Sequence, residues 1–149
     1  MQRPRLLVSG LVVLVVVLGL AGLPGCAAAD DSPLSAKQWR RQANSICKQS
    51  SNLLADAADR AFGTNKPDDQ PSLAQVTEYA GLAQPIVQDQ IASIDALDEP
   101  AKLRPKVKKL LEAARTDLAR FVADPSIGLE TNPFTETMLQ AEKLRLKSC

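Results

Sequence analysis

The chain of 149 residues contains no histidine, three cysteines and very few aromatic side chains, one Trp, one Tyr and three Phe. Without histidine it lacks the commonest general base near neutral pH and the commonest transition-metal ligand. Ser-His-Asp and Cys-His chemistry and most zinc sites are thereby excluded. The two acidic pairs, Asp30-Asp31 and Asp68-Asp69, lack the ligand spacing of a calcium loop and read as solvated charge. Lys and Arg (18) nearly balance Asp and Glu (17), so the strongly basic footprint of a nucleic-acid binder is missing. No cofactor is expected, no nucleic-acid partner, and no enzymatic activity, because carboxylates alone would have to carry the chemistry and none forms a recognisable pair. Sustained alternation of period two is also missing, whereas Ala, Leu, Lys, Glu and Gln dominate. These are good helix formers, and the fold class is all-α.

What is present begins at the N-terminus. Arg3 and Arg5 precede an uncharged run from Leu6 to Leu20, rich in Leu and Val, and small residues with Cys26 follow. That is the order of a secretory signal, predicted to span 1-25 and to be removed. The competing reading is an uncleaved anchor, since Leu6 to Leu23 approaches the length of a membrane span. Leu23-Pro24-Gly25-Cys26 resembles a bacterial lipobox, in which cleavage occurs before a cysteine carrying diacylglycerol. Gly25 matches the small residue before the cut and Leu23 the apolar one two places earlier. Pro24 departs from the Ala, Ser, Thr or small aliphatic residue usual in that slot. The resemblance implies that Cys26 is lipidated, with palmitate-type chains, and that the domain sits outside the cytoplasm on the cell membrane. Two or three acyl chains hold a soluble domain firmly where one does not.

With Cys26 assigned to lipid, Cys47 and Cys149 remain as an even pair in an oxidising compartment, and a disulfide is the expected state. For a loop of that size the chain-entropy account gives about 4.7 kcal/mol as an upper figure. A redox pair is the functional rival, although C-x-x-C spacing is lacking. The bridge would place the end of the chain against the middle of the first helix.

Residues 26-34 are small and acidic and read as a tether; 35-149 read as one helical domain. Ser35 and Gln38 form a capping box before a first helix, with Leu34 stapled onto Trp39 and Trp39, Ala43, Ile46, Ser50, Leu53, Ala57 and Ala61 facing inward. Gly63 stops it. Ser72 and Gln75 repeat the box before a second helix running to about Leu97, with Val76, Tyr79, Ala80, Ala83, Ile86, Val87, Ile94 and Leu97 inward and Pro85 opposite them. Pro100 suits the start of a third helix carrying Leu103, Val107, Leu110, Leu111, Ala114, Leu118 and Val122. A loop with Gly128 leads to a short fourth helix, capped by Asn132-Pro133 and facing inward through Phe134, Met138, Ala141 and Leu144. Short connections favour an up-down antiparallel bundle of three long helices and one short one.

Three sets of residues are candidates for binding. Lys102, Lys106 and Lys109 share a helical face off the apolar stripe; they either meet anionic headgroups or an envelope polymer, or form a solvated face. Ser50 and Gln90 fall inside apolar stripes, where they line a small cavity, bond one another, or sit at a bundle edge. Trp39 and Tyr79 read as core anchors before ligand contacts. The arrangement of Trp39, Ala43, Asn44, Ile46 and Cys47, then Pro85, then Leu146 and Cys149 resembles small actinobacterial envelope lipoproteins, which are largely without assigned activity. The expected function is a membrane-anchored, non-enzymatic helical domain that binds a protein or envelope component. The alternative is a carrier or sensor of a small amphipathic ligand in an interhelical cavity.

Overall fold

The computed structural model describes residues 33–63, 65, 66 and 69–149. The expected leader, Cys26, Asp30-Asp31 and Asp68 lie outside the described residues. Five helices follow one another, α1 (Ala36–Phe62), α2 (Leu73–Asp95), α3 (Arg104–Ala123), α4 (Ile127–Glu130) and α5 (Thr135–Lys143), and no strand occurs among the described residues. They belong to one compact unit, Ser32–Cys149.

Local chemistry sets where each helix starts. At α1 the Gln38 amide donates to Ser35 Oγ at 3.3 Å while the Ser35 amide donates to Gln38 Oε1 at 3.0 Å. The Ser72–Gln75 pair does the same for α2 at 3.3 and 2.9 Å. Each cap satisfies amides that the first turn leaves open, an effect of about 1 kcal/mol. α3 begins later than Pro100 suggests. The amides of Leu103 and Arg104 both donate to Pro100 O, closing a turn, and Pro105 occupies the first turn of the helix proper. A proline there is tolerated because its missing N–H would have had no helical acceptor. The expected Gly128 loop contains the single turn α4. A Cβ on Gly128 would lie 2.9 Å from Phe121 Cε2 and 3.1 Å from Val76 Cγ1, so glycine lets this turn approach α2 and α3.

Two apolar clusters fill the interior. The larger joins Trp39, Ala43 and Cys47 of α1 to Val87, Ile91 and Ile94 of α2, the α3 stripe, and Ala141, Leu144 and Leu146. The smaller comprises Val76, Ala80 and Phe121, with Phe62, Tyr79 and Phe134 packed on it. Two expected inward residues point out instead: Leu53 is 53% exposed and Met138 50%. In α1, positions 46 and 47, and 53 and 54, fit a three-or-four spacing equally well. The bridge draws Cys47 inward, and Leu54 packs on the core in place of Leu53. In α5, Thr137 occupies the inner register because it bonds to α3, which turns Met138 outward. Ile91 and Phe121, absent from the expected stripes, are buried.

Pro85 is exposed, on the side of α2 away from the core. Contacts along the helices fix their relations. Gln90 of α2 reaches Cys47 of α1, and Tyr79 stacks at 5.4 Å on Phe62. Thr137 of α5 meets Asp117 of α3, and Arg120 donates to Pro133 O at 2.9 Å.

Candidate functional site

The C-terminal segment folds back along α1 and is held there at several points. Cys47 and Cys149 are bridged across a sequence separation of 102, with Cα atoms 5.0 Å apart, inside the ordinary range for a disulfide. Asn44 Oδ1 accepts from the amides of Lys147 at 2.8 Å and Ser148 at 3.1 Å, while its Nδ2 donates to Arg40 O at 2.9 Å. Arg40 Nε donates to Leu144 O at 2.9 Å, and Ser51 Oγ donates to Ser148 O at 3.3 Å. The expected contact between chain end and first helix is therefore present.

The reversal that makes this possible lies at the end of α5. The Leu146 amide donates to Ala141 O at 3.0 Å and the Arg145 amide to Glu142 O at 2.8 Å, the paired bonds of a Schellman cap. Arg145 sits at φ 60°, in the left-handed region usually taken by glycine. Leu146, just beyond, returns to the core beside Ala141.

Between this segment and the outer face of α5 runs a groove of about 880 Å³, lined by the apolar Met138, Leu139, Ala141, Leu146 and Cys149 together with Asn132, Thr135 and the charged Glu142, Arg145 and Lys147. Asn132 Nδ2 donates to Met138 Sδ at 3.1 Å. With Met138 and Leu139 (46% exposed) side by side, the groove offers apolar surface to solvent. The sequence spacing had turned Met138 inward, so this surface was not anticipated. A second groove of about 610 Å³ separates α2 from α3 over Ile91, Leu118 and Val122, and the Asp95–Arg115 ion pair at 2.9 Å borders it.

The other candidates are scattered. Ser50 is buried and Gln90 half-buried; both line a small groove of about 230 Å³ between α1 and α2, beside Ile46 and Ile86. Gln90 Nε2 directs its hydrogen to Cys47 Sγ at 3.5 Å and not to Ser50. Lys102 lies in the turn before α3, and Lys106 and Lys109 on α3; all three are exposed. Their neighbours are paired, Arg104 with Glu99 at 3.1 Å and Lys108 with Glu112 at 3.9 Å, whereas no ion pair among the described residues includes these three lysines.

Trp39 is fully buried in the core, and its indole N–H has no hydrogen-bond partner. Tyr79 sits between Phe62 and Phe121, where burial raises its hydroxyl pKa above the ordinary value. One buried acid breaks the apolar pattern of α3. Asp117 replaces an apolar residue on the inner face of α3 and accepts from the Thr137 amide at 3.0 Å and its hydroxyl at 2.8 Å. Its position, three after Ala114 and four before Phe121, was the available signal.

Among the described residues no group of three or more Cys, Asp or Glu is placed to hold a metal ion, and no helix is long and apolar enough to cross a membrane. Comparison with protein-family models, with curated proteins and with solved structures finds no match.

Proposed function

We propose that the protein is an exported lipoprotein, anchored to the outer side of the cell membrane through acylated Cys26. In this reading the helices form an up-down antiparallel bundle that works as a non-enzymatic docking module for a protein of the envelope. The observation that carries the reading is the groove beside α5, where Met138 and Leu139 lie exposed side by side. Singly exposed leucines, such as Leu53 and Leu73, are ordinary, but adjoining apolar side chains over a groove mark a surface suited to a partner. The flexible thioether of Met138 suits a contact that must adapt to an apolar segment. Reversal of α2 on α1 and of α5 on α3, through Gln90 with Cys47 and Thr137 with Asp117, supports the bundle order. A carrier of a small amphipathic ligand would need an enclosed apolar cavity, whereas the grooves described above open along the surface.

The test is site-specific photocrosslinking in intact cells. A crosslinker at position 139 is expected to capture a discrete envelope protein, and one at position 56, on α1, is expected to capture none. Leu139→Asp should lower occupancy of the complex in native mass spectrometry of the membrane extract. A retained lipid-sized ligand with no protein subunit would favour the carrier instead.

A further inference from the structure

The charges of the domain are segregated along its length. Gln90 beside Cys47 and Tyr79 on Phe62 bring the end of α2 to the start of α1, and only residues 96–103 separate it from α3. Thr137 on Asp117 sets α5 running back along α3, and Arg40 meets Leu144 O where α5 ends. One end therefore gathers the starts of α1 and α3 and the end of α5. The segments composing that half, 33–50, 90–113 and 141–149, hold twelve Lys and Arg against five Asp and Glu. The remaining segments, 51–89 and 114–140, hold four against nine described acids. Lys37, Arg41, Lys102, Lys106, Lys109 and Lys143 are all exposed at the basic end.

The same end is where the chain enters from Cys26. Ten residues, 26 to 35, lie between the start of the tether and α1, and even fully extended they reach only about 35 Å. An acyl chain at Cys26 therefore keeps this end within reach of the bilayer.

We infer that the basic end of the bundle is a contact surface for anionic phospholipid headgroups, with Lys102, Lys106 and Lys109 at its centre. This rests on the anchored reading above, and adds an orientation to it. The negative potential of an anionic leaflet attracts each nearby lysine by roughly five-fold in binding and repels the acidic pole. Both effects hold the bundle upright on its tether. They fade within a Debye length of about 10 Å, so short-range proximity and low salt are required. With the basic end down, the α5 groove runs up the side of the domain from Arg145 and Lys147 towards Asn132.

The test uses the full chain isolated from membranes and added to vesicles of phosphatidylcholine alone or of phosphatidylcholine with phosphatidylglycerol. Rates of lysine acylation are read residue by residue by mass spectrometry. Lys102, Lys106 and Lys109 are expected to react at least about five-fold more slowly on the anionic vesicles. Lys66, at the other end, should be unchanged, and high salt should abolish the difference. The combined variant Lys102→Glu, Lys106→Glu, Lys109→Glu, checked for native helicity, should remove the lipid dependence at Lys37 and Lys143 as well. Equal rates on the two vesicles would overturn the inference. Protection by soluble polyphosphate without protection by anionic vesicles would overturn it too, and point to an anionic polymer. Flotation with phosphatidylcholine vesicles reports the anchor separately. Failure to float defeats the lipid assignment, while the labelling difference still decides the headgroup contact.

Discussion

Asp117 on α3 caps α5 from outside: its carboxylate accepts both the amide and the hydroxyl of Thr137, at 3.0 and 2.8 Å. The residue in the cap position, Phe134, has no side chain able to do this. A nine-residue helix with no cap of its own is marginal, so the position of α5, and with it the groove wall, draws on contacts with its neighbours, this buried acid among them. Asp117→Ala leaves both Thr137 donors without an acceptor and is expected to cost about 2–3 kcal/mol. Asp117→Asn retains an acceptor and should cost less. Urea denaturation gives both values, and equal, negligible losses would show that α5 is held by apolar packing alone.

Reducing the Cys47–Cys149 bridge is expected to lower stability by about 2–4.7 kcal/mol, most of it through the unfolded chain. Asn44, which accepts from two amides of the same segment, limits the structural consequence. Asn44→Ala in the reduced protein should therefore detach the segment, read as fast amide exchange at Lys147 and Ser148. Exchange already fast in the reduced protein with Asn44 intact would show that the bridge alone secures it.

At Arg145 the left-handed backbone carries a penalty of roughly 1–2 kcal/mol for a residue with a Cβ. Arg145→Gly removes it at some entropic cost, and a net gain of about 0.5–1 kcal/mol is expected. A raised midpoint of thermal unfolding checks this.

Gly128→Ala is expected to act in the opposite direction. The added methyl meets the Phe121 ring and Val76 inside ordinary contact distance, and overpacking of this kind costs about 1–3 kcal/mol. Altered near-ultraviolet dichroism from Tyr79, whose ring lies tilted against the same ring with centroids 6.3 Å apart, should accompany the loss.

These positions also show how far residue order alone could be read. The all-helical class and the two Ser–Gln boxes were legible because each rests on neighbours a few places apart. The cysteine pair followed from counting. The start of α3 was misplaced because two prolines, at 100 and 105, both suit a helix start and only the turn closed on Pro100 O decides between them. Leu53 and Met138 were turned the wrong way for a related reason. A three-or-four spacing leaves two adjacent residues eligible, and the choice is made by a distant partner, Cys149 for α1 and Asp117 for α5. The groove beside α5 was invisible for the same cause, since it exists only because Met138 faces out.

The most direct test of the anchored reading is the intact mass of the protein isolated from its native membrane. A chain that begins at Cys26 and carries a diacylglycerol on that residue, with Cys47 and Cys149 two hydrogens short of free thiols, is the expected result. A mass that still includes residues 1–25, carries no acyl chain and comes from the cytosolic fraction would contradict it.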